Sequence, residues 1–198
     1  MAHIDYYFVT ISPYTYLAGM GLEEIAAKHG ATITYRPMNL MKVFEAVGTP
    51  PPPKRHPNRQ AHRLIDIARC AKMADMPVNP QPAFWPANPV PSSAMIIAAQ
   101  EAGGDVGALT HAVLRACWAE ERDIADDAVL REILTANGFD PSLADSGMLT
   151  GAETYEKNTQ MALEAGVFGA PTYVVDTDAV FWGQDRFDQL DAHLAGRL

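Results

Sequence analysis

The chain has 198 residues, 48% of them hydrophobic, enough to bury a large core as one compact unit or as a core with an insertion. Fifteen Lys and Arg against twenty-four Asp and Glu give a formal net charge of −9, with the acidic residues dispersed, which argues against nucleic-acid and anionic-membrane binding. No apolar run approaches the roughly 18–20 residues of a membrane span, and Met1-Ala2-His3-Ile4-Asp5 has neither a basic leader nor a signal-type apolar region, so a cytoplasmic location is expected.

Ile4 to Ile11 reads as a strand whose two faces are both apolar, as in the middle of a sheet. A helix should follow: Ser12 is a good N-cap and Pro13 a good first residue, and Leu17, Ala18, Leu22, Ile25 and Ala26 recur at helical spacing until Gly30. Ala31 to Tyr35 is a second strand ended by Pro37, which completes a β-α-β opening. Five helical segments come next, Gln60 to Ala74, Ser92 to Ala102, Asp105 to Glu120, Asp126 to Asn137 and Gly151 to Ala165. Ser92, Asp105 and Asp126 serve as caps and Gly103, Gly138 and Gly166 as stops. Two proline-rich loops, Pro50 to Pro53 with Pro57 and the stretch Pro77 to Pro91, are long enough to line a site rather than merely connect elements. Thr172 to Val175 and Val180 to Trp182 form a hairpin around Asp176-Thr177-Asp178, and a helix from about Arg186 to Leu194 closes the chain.

The order βαβ, helices, ββα defines the expected fold class: α/β, a thioredoxin-like fold with a helical domain inserted between the βαβ and ββα halves. The domains are then residues 1–37 with 166–198, thioredoxin-like, and 38–165, all-helical. In that fold the first strand-to-helix turn carries a reactive cysteine pair and a proline before a late strand faces it. Here the turn reads Ser12-Pro13-Tyr14-Thr15, so Ser12 and Thr15 stand where both cysteines belong, and the late proline is Pro171. Cys70 and Cys117 lie among apolar helical neighbours, outside any redox or zinc spacing, and the six histidines form no cluster, so no metal site is expected. Glu120-Glu121-Arg122-Asp123 reads as a solvated helix end.

A hydroxyl at a helix N-terminus cannot form a disulfide and will not ionise near neutral pH. It can donate a charge-assisted hydrogen bond to a thiolate brought by another molecule, such as glutathione, and with the helix terminus lower that thiol's pKa. Ser12 is also a good ordinary N-cap, and that role stays open. A residue before a cis-proline at a strand start leaves backbone groups free for an extended peptide-like ligand, which points to Ala170.

Five segments in order along the chain carry a family resemblance: Phe8 to Tyr16, Phe84-Trp85-Pro86-Ala87-Asn88-Pro89, the Asp123-Ile124 region, Val167 to Thr172, and Phe181-Trp182-Gly183-Gln184-Asp185-Arg186. Together they resemble the 2-hydroxychromene-2-carboxylate isomerase family, which is allied to kappa-class glutathione transferases and to DsbA-like oxidoreductases. The resemblance implies a homodimeric glutathione-dependent isomerase that interconverts 2-hydroxychromene-2-carboxylate and trans-o-hydroxybenzylidenepyruvate in aromatic hydrocarbon degradation. It implies Ser12 as the catalytic residue holding the glutathione thiolate, Ala170, Trp182, Gly183, Gln184 and Asp185 as further glutathione contacts, and Lys42, Lys54 and Asn88 at the substrate. Arg55 and Arg59, beside the first proline-rich loop, are further cations for a substrate carboxylate. Capping by Asp185, core packing by Trp182 and surface solvation of the lysines are the plainer readings of those residues. Two other functions remain open, a kappa-like glutathione transferase or peroxidase and a non-catalytic thioredoxin-like binding module.

Overall fold

The structure, a computed structural model, describes residues 1–198, with side chains at every position except 149 and 150. Strands β1 (His3–Phe8), β2 (Thr32–Pro37), β3 (Thr172–Val175) and β4 (Ala179–Trp182) form one sheet in the order β2-β1-β3-β4. β1 runs parallel to β2 and antiparallel to β3, and β3 runs antiparallel to β4. A parallel pair needs a crossover, which α1 (Pro13–Leu17) and α2 (Gly21–His29) supply. The hairpin needs only its turn, where Asp176 and Thr177 take φ of 47° and 82°.

Both faces of the sheet are covered, as the two-sided β1 pattern requires. Ile4, Tyr6, Phe8 and Tyr173 face a large cluster with Leu22, Met95, Ile96 and Trp118, and the Tyr6 ring lies 4.8 Å from Phe8 and 5.3 Å from Tyr173. Tyr7 and Val174 face a smaller cluster with Met38, Val43, Ala162 and Val167. Between β2 and β3 run α3 (Leu40–Ala46), a short 3-10 turn at Pro52–Lys54, α4 (Pro57–Met73), α5 (Val90–Ala102), α6 (Val106–Trp118), α7 (Asp127–Ala136) and α8 (Leu143–Glu164). The last helix is α9 (Phe187–Leu194). α5 is buried on every side from Ser92 to Ala99, the signature of a helix inside a core rather than on its surface.

Three local expectations are corrected. The helix after β1 is two helices: Gly19 turns into the left-handed region at φ 57°, and the chain restarts at Gly21, where an added Cβ would lie 2.6 Å from the Phe187 ring of α9. Ser92 is an interior residue of α5, not its cap; its hydroxyl donates to Thr10 Oγ1 at 2.9 Å, and Pro89 holds the cap position. α8 starts eight residues before Gly151, at Leu143. Glu121 is exposed, as expected of a solvated helix end, and its carboxylate also accepts the Asn79 side-chain amide and the Ala83 N–H. The caps at Asp105 and Asp126 form as read, each accepting from the backbone N–H three residues on, Ala108 at 3.0 Å and Val129 at 3.1 Å.

Candidate active site

Strand register assembles the site. Tyr7 pairs with Thr172 and Thr172 with Trp182, so three connecting segments emerge at one end of the sheet: Val9 to Ser12 after β1, Gly169 to Pro171 before β3, and Gly183 to Asp185 after β4. The Ala170–Pro171 peptide bond is cis, and so is Trp85–Pro86, which sequence reading did not anticipate.

Ser12 holds an extended backbone at φ −89° and ψ 124°, caps α1, and is only 7% exposed. Its Oγ accepts the Thr15 N–H at 3.2 Å, which leaves the hydroxyl proton available to donate. α1 has five residues and so aligns fewer peptide dipoles than the continuous helix expected. Thr15 is buried beside it, and its Oγ1 has no partner among the described residues.

On the opposite segment, neither the N–H nor the C=O of Ala170 takes a backbone partner among the described residues. Pro171 O accepts the Gly183 N–H at 3.0 Å, which ties the 183–185 segment to the cis bond. Trp182 is 50% exposed, with its ring 4.8 Å from Phe168 and its indole nitrogen over Gly169, where any Cβ would collide with it. Gly183 adopts φ 120°, and a Cβ there would lie 2.6 Å from Asp185 Oδ1. Asp185 is exposed and does not cap α9; its carboxylate lies 3.4 Å from Arg186 Nη2.

The third wall is α4. The Tyr14 hydroxyl donates to Asp66 Oδ2 at 2.7 Å, and Gln184 Nε2 donates to Cys70 Sγ at 3.7 Å. Burial first, then the Asp66 hydrogen bond, raises the Tyr14 pKa and keeps its phenol protonated. Burial and then Asp66 also push the Cys70 thiol up, the wrong direction for a resident nucleophile. From the second proline-rich loop, Trp85 Nε1 donates to Ile11 O at 3.0 Å, and the Arg63 guanidinium lies 5.1 Å from the Trp85 ring centre. A cavity of about 280 Å³ opens beside Tyr14, lined also by Arg55, Asn58, Arg59, His62 and Arg63.

Lys42, Lys54 and Asn88 do not line this cavity. The Lys42 ammonium is held by both oxygens of Glu156, at 2.6 and 2.7 Å, a partner 114 positions away. Lys54 is exposed at the end of the 3-10 turn, and the Asn88 side chain accepts the Val90 N–H at 3.1 Å, leading the chain into α5. His62 and Arg63 were missed as site residues. Their signal was the spacing of 59, 62, 63 and 66 along one face of α4, which reads first as an ordinary solvated face.

A sheet end with a buried serine and threonine in place of a cysteine pair, opposite a cis-proline, defines a thioredoxin-fold protein without its own redox centre. The chain belongs to the family described as DSBA-like thioredoxin domain, whose profile matches residues 3–195, and within it to the 2-hydroxychromene-2-carboxylate isomerases. It is 32% identical to 2-hydroxychromene-2-carboxylate isomerase of Pseudomonas putida, over 98% of this chain and 95% of that one. Glutathione S-transferase kappa 1 of Caenorhabditis elegans is 29% identical over 94% of this chain and 88% of its own. A solved structure of a 2-hydroxychromene-2-carboxylate isomerase superposes with a TM-score of 0.78 at 26% identity, covering 98% of this chain and 95% of that one. This chain is accordingly an enzyme of the isomerase type.

Proposed function

We propose that this enzyme is glutathione-dependent and interconverts 2-hydroxychromene-2-carboxylate and trans-o-hydroxybenzylidenepyruvate or a closely related unsaturated aryl acid. The observation that carries the reading is the Ser12 hydroxyl, buried, already oriented by the Thr15 N–H and with its proton left to donate, at the same sheet end as the cis Ala170–Pro171 bond. The names of the full-length relatives support the isomerisation, and the kappa-class relative supports glutathione.

The residues present fit that tripeptide. Ala170 offers an unpaired N–H and C=O to the cysteinyl backbone, in the manner of an added strand. Gln184 and the exposed Asp185 carboxylate suit the γ-glutamyl end with its ammonium group. When bound, glutathione supplies the nucleophilic thiol that this chain lacks. Ser12 then donates its hydrogen bond to the sulfur and favours its anionic form, and burial of that hydroxyl keeps water from competing for the bond. Tyr14, held protonated by Asp66, borders the adjoining cavity and fixes its wall.

The test follows the chromene-to-pyruvate conversion spectrophotometrically with purified enzyme, with glutathione and after its removal by gel filtration. The expected result is turnover only with glutathione; equal rates in both would overturn the reading. The kappa-class relative favours one alternative, a glutathione transferase or peroxidase, and conjugation of an electrophilic aryl halide without chromene turnover would select it.

A further inference from the structure

Thr15 carries a hydroxyl that the fold leaves unsatisfied. The residue is 1% exposed, and its Oγ1 meets no hydrogen-bonding group among the described residues. A threonine inside a helix ordinarily donates to the carbonyl four residues back, as Thr135 does to Arg131 O and Thr159 to Tyr155 O, both at 2.9 Å. For Thr15 that carbonyl is Ile11 O, which instead accepts Trp85 Nε1 at 3.0 Å. A buried hydroxyl left unpaired is destabilising, and a valine of the same shape would remove that cost. The free chain therefore gives up stability at this position.

Thr15 also shares its turn with the group proposed to hold a thiolate. Its N–H fixes Ser12 Oγ at 3.2 Å, so Thr15 Oγ1, on the β-carbon of the same residue, is a neighbour of the Ser12 hydroxyl without being bonded to it. Where cysteines occupy both positions of such a turn, their side chains must meet closely enough to bridge, with β-carbons about 4 Å apart. Ser12 is 7% exposed, so a sulfur seated against it closes over both hydroxyls and shuts out water. An anion in that place depends on the donors the protein supplies, and a sulfur anion accepts more than one. Threonine in a helix divides between two χ1 rotamers, one of which serves the carbonyl four residues back. With Ile11 O engaged by Trp85, the Thr15 hydroxyl is free to turn to the sulfur.

We infer that Thr15 is a second hydrogen-bond donor to the sulfur of the bound thiol, so that two hydroxyls act as a pair where a redox protein of this fold carries two cysteines. This role rests on the glutathione reading above. Only the S–H bond changes: the thiol proton goes to solvent, and both hydroxyls keep theirs. Thr15→Val tests it, because valine keeps the shape and the backbone N–H that holds Ser12 and deletes the hydroxyl alone. Two quantities are measured: thermal unfolding without ligand, and thiolate ultraviolet absorbance against pH in the complex saturated with glutathione. Thr15→Val should unfold at or above the wild-type temperature, while its bound thiol ionises about one pH unit higher, with about tenfold less thiolate below that pKa. Thr15→Ser should keep thiolate within about twofold of wild type. Thr110, buried on α6 with an unpartnered Oγ1 of its own, is the control, and Thr110→Val should leave the thiol unmoved. An equal upward move in Thr110→Val overturns the inference. So does a Thr15→Val protein that unfolds at lower temperature, since the hydroxyl then serves the free fold through an internal water. A wild type that binds no glutathione overturns the glutathione reading and this role with it. A wild type that lowers the thiol pKa beside a Thr15→Val variant that lowers it equally leaves that reading standing and removes Thr15 alone.

Discussion

Ser12 Oγ accepts one hydrogen bond from Thr15 N–H at 3.2 Å and has its own proton to give, so its replacement removes two separable things. Loss of the cap costs about 1 kcal/mol of stability, and loss of a donor to a charged sulfur costs about 1.5–3 kcal/mol in the reaction, or roughly 10- to 100-fold in rate. Ser12→Ala should therefore lower kcat/KM by that factor. It should also move the acidic limb of the pH–rate profile upward, because a thiol without its donor ionises at higher pH. Ser12→Asp restores the cap without a proton to give, so thermal stability should return and activity should not; an active Asp variant would assign Ser12 to capping alone. That Ser12, Ala170 and the Trp182 to Asp185 segment meet at one end of the sheet is legible in the sequence, because each sits in a short motif whose place in the βαβ and ββα halves is fixed. The pairing of Lys42 with Glu156 is not, because it depends on how α8 packs against α3, which no local spacing encodes.

At the scale of elements, sequence periodicity found the strands and most helices and failed where packing overrides propensity. The helical pattern of α8 is legible only from Gly151 onward because two glycines, Gly147 and Gly151, dilute its first turns. The reason for them lies across the interface: a Cβ on Gly147 would stand 2.8 Å from Ala94 O, and one on Gly151 2.9 Å from Ala94 Cα. Those contacts are backbone or rigid, so α5 and α8 approach closely only because both positions lack a side chain. Gly151→Ala gains about 1 kcal/mol of helix propensity but forces the pair apart at a cost of about 1–3 kcal/mol. The expected outcome is a net loss of stability, read as a lower urea midpoint with an unchanged slope; a midpoint at or above wild type would show that the crossing can relax. The break between α1 and α2 has a related origin: Gly19 turns the chain at φ 57°, and Gly21 belongs to the fit of α2 against Phe187 of α9 rather than to the amphipathic pattern. α3 escaped notice because seven residues that include Val43 and Phe44 carry little helical signal of their own, and its Asn39 cap becomes decisive only beside Met38 in the smaller cluster.

Across the whole molecule, burial acts on one residue type uniformly. The chain has seven tyrosines, and burial is the first cause raising the pKa of each. Tyr7 and Tyr155 are pushed up to about 12, and the Cys117 thiol likewise to about 12. A folded-state pKa above the unfolded one contributes stability that is fully present below the unfolded tyrosine value of about 10 and is lost as pH rises through the folded value. Alkaline titration should therefore show little tyrosinate absorbance near pH 10, followed by a cooperative rise that coincides with loss of circular dichroism. Tyrosines that ionise near 10 with the fold intact would contradict the burial pattern. The architecture was legible because β-α-β and β-β-α patterns can be read locally; the cationic cavity was not, since it exists only once α4, Tyr14 and the proline-rich loops meet. One further feature acts at this scale. Of the three tryptophans, Trp118 is fully buried and Trp85 packs beside Ile11, while Trp182 stands half in solvent over Gly169, next to the segment proposed to receive a ligand. The enzyme thus carries its own optical reporter: red-edge indole emission comes mainly from Trp182, the most exposed of the three rings, so a ligand settling against Ala170 should shift it and can be followed by light without attaching a dye.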